Sequence, residues 1–201
     1  EQQDKYRWIE YHKWKFKSRT FTALTGGSNC LVLMTRVEFG LLGSFNRYKK
    51  SPFETFYMGG DGMSGYSTSY AEETIGLRGY ENGSLSSSAA YEEMRAGRSI
   101  TSYNSYAYDR FTLELRYPLM LGNTTIYGLA FAEAGNAWAD TKSFNPFDMK
   151  RSAGVGVRIY LPMVGLMGID WAYGFDKVYT NQSGAQSKGG SQFHFILGQE
   201  F

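Results

Sequence analysis

The residue types that most often carry catalysis are sparse in this 201-residue chain. Its two histidines, His12 and His194, and its single cysteine, Cys30, lie far apart in sequence. No metalloprotease, nucleophile-elbow or phosphate-loop pattern is present, and the glycine-rich residues 59–62 lack the strand-to-helix context of a phosphate loop. We therefore predict that the chain is not an enzyme and uses no metal and no cofactor.

Adjacent acidic residues occur twice, as Glu72-Glu73 and as Glu92-Glu93. Nothing around them marks a site, and we expect both pairs to lie on a solvated loop surface. The net charge of +2 gives no argument for nucleic acid as a partner.

The composition favours a β protein with tight turns, because 17% of the residues are aromatic and there are 24 glycines against 4 prolines. The mean hydropathy is −0.39, and no run approaches the roughly 18 apolar residues of a transmembrane helix. Transmembrane β-strands stay compatible with this average, since each needs about 9–11 residues and is apolar on one face only.

Alternation of apolar and polar residues predicts about seven strands. The clearest case has Val155, Val157 and Ile159 on one face of a strand and Arg158 on the other. Residues 124–138 are apolar or small on both faces, so periodicity does not assign their inner and outer sides. The other alternating segments are residues 8–19, 31–41, 110–117, 167–175 and 192–201.

Two β architectures fit this pattern, a transmembrane barrel and a soluble sandwich. The segments of about 10 residues exceed the usual globular strand, and Lys, Arg and Glu in mid-strand suit a wet lumen. Aromatic residues at strand ends fit the interfacial girdles of a barrel; they are Tyr117, Trp138, Tyr160 and Phe175. These features favour the barrel.

The connections between the predicted strands differ in length. Those at residues 120–123 and 163–166 are short, whereas residues 46–100 contain no alternating strand, and connections this long are usually functional. In outer-membrane barrels the long loops are extracellular and the short turns periplasmic, which orients the chain.

Several segments, in order, resemble the BamA family of outer-membrane protein assembly factors, within the bacterial surface antigen superfamily. The long connection holds a Gly59-Gly60 element and then Leu77-Arg78-Gly79-Tyr80, which we call the loop motif. The resemblance continues through residues 113–118, 131–138, 145–156 and 193–201. This sequence departs from the family pattern at Glu133, where many relatives have Asp, and in residues 61–70, which look like an insertion.

The resemblance implies an all-β fold. Residues 1–201 would be the C-terminal portion, about seven antiparallel strands, of a 16-stranded transmembrane barrel. Residues 46–100 would fold into the lumen, and residues 191–201 would form the closing strand. An odd number of strands leaves an open sheet edge in lipid. We therefore expect the first strands and the POTRA domains to precede this segment.

The resemblance also implies that Arg78 meets lumen-facing carboxylates, with Glu114 and Glu133 at the matching positions. Alternation independently places Glu114 on the polar face of its strand. A planar guanidinium with five donors suits two carboxylates, and Gly79 would permit a tight turn beside Arg78. The alternative for Arg78 is an exposed arginine in a turn.

The closing strand carries the remaining predicted residues, Phe193, Phe195, Gly198 and Phe201. In the family this strand borders the seam of the barrel, and we expect a bend at Gly198 to free its ladder groups for a substrate strand. Gly198 could instead be a small residue packed against the lumen. The resemblance makes Phe201 a terminal recognition signal for assembly, and the alternative is an ordinary interfacial aromatic.

By resemblance, the protein folds and inserts β-barrel proteins in the outer membrane of a Gram-negative bacterium. Its expected partners are outer-membrane lipids, unfolded outer-membrane β-barrel proteins and accessory assembly lipoproteins. Two alternatives remain, a polypeptide translocator of the two-partner secretion type and a passive porin-like channel. The loop motif argues against the channel. The number of POTRA domains, about five or two, would separate the assembly factor from the translocator.

Overall fold

A computed structural model describes residues 9–27, 29–45, 50–62, 72–98, 104–122, 124–163, 165–179 and 186–198. Its main feature is one antiparallel sheet of seven long strands, ordered β1-β2-β5-β6-β7-β8-β9. This confirms the prediction of about seven antiparallel strands. In the described ranges these seven strands form one continuous sheet, not the two packed sheets of a sandwich. The strands are β1 (Tyr11–Ala23), β2 (Val32–Ser44), β5 (Ala107–Met120), β6 (Thr125–Trp138), β7 (Lys150–Leu161), β8 (Gly165–Tyr179) and β9 (Gln186–Leu197).

The outer face of the sheet is apolar and exposed, as the alternation predicts. Leu113 on β5, Val155 on β7 and Ile169 on β8 are each 53% exposed, and Phe193 on β9 is 66% exposed. Such a band is the lipid-facing surface of a barrel strand. Among the described residues, no helix is long and apolar enough to cross a membrane.

The inner face carries the buried charges, including Glu114, Arg158 and Asp170. The structure also settles β6, whose faces periodicity left open. Glu133 is buried on the inner side, whereas Ala132 on the next position is exposed on the outer side.

The connection between β2 and β5 contains regular structure that the sequence did not predict for residues 46–100. It contains two short parallel strands, β3 (Phe56–Met58) and β4 (Glu73–Ile75), and a helix, α1 (Ser84–Arg95). The helix is rich in serine and lacks a side-chain N-cap bond. Its buried serines bind neighbouring backbone: Ser86 accepts from Met58 N at 2.9 Å, and Ser88 accepts from Tyr179 N at 3.3 Å. Tertiary contacts therefore stabilise α1.

The structure differs from the sequence predictions at three further points: the exposure of Trp138, the start of β9 and the position of Gly198. Trp138 is only 6% exposed and packs on Phe144 at a ring distance of 4.7 Å, so it is not a lipid-facing girdle residue. The strand predicted to close the barrel, β9, begins at Gln186 rather than at residue 191. Gly198 lies just past its end, with φ of +106° and its N–H bonded to Leu166 O at 2.9 Å. Phe201 and residues 63–70 of the insertion lie outside the described residues.

Candidate functional site

The Gly59-Gly60 element holds the loop motif in place through backbone hydrogen bonds. Gly59 N donates to Ile75 O at 2.9 Å, and Gly60 N donates to Leu77 O at 3.2 Å. Both glycines have positive φ, and a Cβ at Gly59 would lie 2.5 Å from Glu81 O. Only glycine fits this close approach without strain. The element therefore delivers residues 77–80 to the inner face of the sheet.

Arg78 sits in a cluster of three buried carboxylates from three strands. Its guanidinium contacts Glu133 on β6 at 2.8 Å, Asp170 on β8 at 2.8 Å and Glu114 on β5 at 3.2 Å. All three carboxylate side chains are fully shielded from solvent, and that of Arg78 is 6% exposed. We call Glu114, Glu133 and Asp170 the acidic cluster. The structure thus brings together Arg78 and both carboxylates predicted from the sequence.

Glu133 accepts more hydrogen bonds than the other two carboxylates. Arg78 approaches it twice, through the guanidinium and through the backbone N–H at 2.9 Å. Arg110 on β5 donates to it at 3.0 Å and Thr112 at 3.2 Å. A carboxylate that accepts from several charged and neutral donors is well compensated for its burial.

The Arg78 side chain is also placed over an aromatic ring. Its guanidinium carbon lies 3.4 Å from the centroid of the Phe131 ring on β6. Burial alone would lower the pKa of Arg78, but Glu133, Glu114 and Asp170 raise it above its usual value. The side chain therefore stays charged, and removing one partner of such a buried pair typically costs about 3–5 kcal/mol.

Asp170 was not among the carboxylates predicted for Arg78, although it is central to the site. It also contacts Arg158 on β7 at 2.7 Å, so it is shared between two buried guanidinium groups. The only sequence signal was its place among the small residues on the polar face of β8. Arg110 and Phe131 were likewise not predicted. Alternation gives the face of a residue but not which distant residue it meets.

Gly79 packs where the sheet offers almost no side chains. Its φ is +89°, and a Cβ there would lie 2.9 Å from Gly174 N and 3.0 Å from the Ser152 side chain. Its carbonyl oxygen occupies the space that a Cβ at Gly174 or Gly189 would need, at 2.3 and 2.4 Å. Glycines on β8 and β9 therefore form the surface that receives the loop. Gly79 N donates to His194 Nε2 on β9 at 2.8 Å.

Tyr80 and Leu77 complete the loop motif, and both are fully buried. The Tyr80 hydroxyl donates to Arg151 O at 2.7 Å and accepts from Asp176 N at 3.3 Å. Burial raises the pKa of Tyr80 to about 12, so the hydroxyl keeps its proton near neutral pH. Leu77 belongs to the hydrophobic core that Met58 and Leu85 share.

A second ionic contact joins the loop to β1. Lys13 contacts Glu73 at 2.9 Å and Glu54 at 3.5 Å, and Lys15 also pairs with Glu73. Burial would raise the pKa of Glu73, but hydrogen bonds from Lys15 and Lys13 hold it below its usual value. The expectation of a purely solvated acidic surface was thus wrong for Glu73. It was also wrong for Glu93, which is 7% exposed and accepts from Ser143 at 2.5 Å.

The predicted residues on β9 point away from this site. Phe193 and Phe195 lie on the outer face, at 66% and 61% exposure. Within the described part of the chain, β9 pairs with β8 and with no other strand. Its inner face meets the loop through His194.

The arrangement suits docking of the loop. The three carboxylates around Arg78 serve as its ion-pair partners, and the loop motif contacts β5, β6, β7, β8 and β9 through the residues given above. In the described ranges, no group of three or more His, Cys, Asp or Glu residues could hold a metal ion. The site is thus a set of contacts that fixes one loop across five strands.

Comparison with known families adds one finding. The family model for the Omp85 superfamily domain matches residues 4–201. No curated protein matches the chain significantly.

Proposed function

The chain belongs to the Omp85 superfamily of outer-membrane β-barrels, which insert or translocate proteins, and we propose that it is part of a BamA-type assembly factor. In this proposal the whole protein folds and inserts other β-barrel proteins into the outer membrane of a Gram-negative bacterium. It does so without covalent chemistry, at a seam next to β9. In this proposal the full-length protein also has POTRA domains, and it works in a complex with accessory lipoproteins.

One observation carries the proposal, the burial of Arg78 among Glu114, Glu133 and Asp170. A passive channel needs an open lumen, whereas here a loop is held inside by charges from three strands. Keeping three carboxylates and an arginine dry is costly unless the geometry is good. We take this desolvation cost as a sign that docking of the loop is part of the function.

Features of β9 are a second argument for a seam beside this strand. β9 exposes apolar Phe193, Phe195 and Leu197 on its outer face, toward lipid. Gly198, directly after the strand, has a φ of +106°, a conformation that turns the chain away from an ideal strand. An incoming strand could add to backbone groups freed at this edge by β-augmentation.

The test is reconstitution of the full-length protein with any accessory lipoproteins in liposomes. A urea-denatured outer-membrane β-barrel serves as the substrate, and its folding is followed by heat-modifiable gel mobility. The proposal expects faster folding than in protein-free liposomes and a large loss with Arg78→Ala. Substrate found unfolded inside the vesicles would indicate a translocator instead, and folding no faster than in empty liposomes would contradict the assembly role.

A further inference from the structure

The hydrogen bond between the loop motif and β9 is accepted by a titratable side chain. Gly79 N–H donates to His194 Nε2 at 2.8 Å, across 115 residues of sequence. Because Nε2 accepts, the neutral ring must carry its proton on Nδ1. A doubly protonated imidazolium has no acceptor and could not make this bond.

His194 is placed for this contact and for no other polar task in the described structure. It is 5% exposed on the inner face of β9, directly opposite Asp170 in the strand register. Four charged groups act on the ring: Asp61 and Arg78 from the loop, Glu133 from β6 and Asp170 from β8. The imidazole therefore borders the acidic cluster, but its one hydrogen bond among the described residues joins it to Gly79.

Shape reinforces the contact between the loop and β9. The carbonyl oxygen of Gly79 lies against Gly189 on β9, where a Cβ would come within 2.4 Å of it. A Cβ at Gly189 would also meet the Tyr80 ring at 2.6 Å. Two successive loop residues, Gly79 and Tyr80, thus both contact β9 beside the bond to His194.

We propose that His194 is the positioning residue through which the docked loop holds the closing strand. This inference rests on the proposed function, in which β9 borders the seam. Arg78 fixes the loop to β5, β6 and β8, and the bond from Gly79 to His194 extends that fixation to β9. Loss of the bond leaves the β8–β9 ladder intact but releases β9 from the loop. Whether the loop is docked therefore determines how readily β9 moves.

The test measures amide hydrogen exchange of β9 peptides in the full-length protein. It is run at about pH 7.5, where an ordinary histidine ring is neutral. His194→Leu removes the acceptor, and His194→Gln supplies an acceptor that does not titrate. Gln192→Leu is the matched control, because Gln192 lies on the same face of β9 and, within the described ranges, its side chain donates to Gly189 O alone, at 3.3 Å.

After correction for intrinsic exchange, His194→Leu should speed exchange in β9 roughly five- to tenfold relative to the wild type, as expected for one lost hydrogen bond. Gln192→Leu should exchange like the wild type, and His194→Gln should stay protected because its amide oxygen can accept from Gly79 N–H. Unchanged exchange in His194→Leu, or exchange in His194→Gln as fast as in His194→Leu, would overturn the proposal.

The folding assay on the same variants separates this inference from the proposed function. Faster β9 exchange without any change in substrate folding would support the role of His194 and contradict a seam at β9. Normal β9 exchange in the His194 variants, with substrate folding lost in Arg78→Ala, would contradict the role of His194 and leave the assembly function standing.

Discussion

Arg78 and Asp170, 92 residues apart in sequence, form a buried ion pair at 2.8 Å. The pair joins the loop motif to the middle of β8, where Arg158 contacts the same carboxylate from β7. Asp170 therefore compensates two guanidinium groups at once. Removing its charge should therefore destabilise both the docked loop and the contact between β7 and β8.

Asp170→Asn tests this shared role. Arg78 and Arg158 would each lose a charged partner in a buried setting, and we expect the docked loop to lose about 3–5 kcal/mol of stability. Limited proteolysis of the loop in the folded full-length protein should show faster cleavage. The control is Asp176→Asn on the same strand, where the partner Arg151 is exposed. Equal cleavage rates in the two variants would argue against a special role for Asp170.

Gly79→Ala tests the fit of the loop against the sheet. The new Cβ would meet backbone atoms of β8 within 3.0 Å, in addition to the strain of a positive φ. The control Gly97→Ala has a similar φ, +74°, but open space around the new Cβ. Both should pay about 1 kcal/mol of backbone strain, and only Gly79→Ala should lower the thermal unfolding midpoint markedly. Matching midpoints would mean that the loop does not dock closely on β8.

Glu73 should make loop attachment sensitive to acid. Its pKa is lowered in the folded protein, so its contribution is present above the unfolded-state pKa and is lost as the pH falls through the folded pKa. Hydrogen exchange of residues 72–80 should therefore speed up below about pH 4.5. Glu73→Gln should show faster exchange already at neutral pH and less further change in acid. Glu81→Gln, at an exposed loop position, should follow the wild type, and a Glu73→Gln profile like the wild type would refute the β1 contact.

The strands and their faces were accessible from sequence because alternation reports burial directly. Leu113, Val155 and Ile169 are exposed on the outer face as their spacing predicts. Residues 124–138 failed this test because Ala and Gly fit either face. There, only the resemblance suggested that Glu133 faces the lumen.

The site was predicted in part, and the gaps have a physical cause. Resemblance supplied Arg78, Glu114 and Glu133, but Asp170 and His194 meet the loop only through three-dimensional contact. Helix α1 was missed because residues 84–88 include four serines, which are weak helix formers. Ser86 and Ser88 accept hydrogen bonds from backbone N–H groups that are distant in sequence, and these bonds, which hold the helix, are not visible in local sequence.

The most direct test of the account restores charge inside the lumen. Full-length Arg78→Glu and Arg78→Glu with Glu114→Arg would be compared in cells depleted of the native protein, scored by growth and by heat-modifiable folding of the barrel. Glu114 is the better exchange partner, because Glu133 serves more donors. Arg78→Glu with Glu81→Arg restores net charge at an exposed loop position and is the control.

We predict that Arg78→Glu alone fails to support growth, and that the control double variant, Arg78→Glu with Glu81→Arg, fails as well. The exchange with Glu114 should recover part of it, limited by the acidic residues Glu133 and Asp170 that remain. Normal growth with Arg78→Glu alone, or equal recovery by the two double variants, would contradict the claim that Arg78 docks the loop in the acidic cluster.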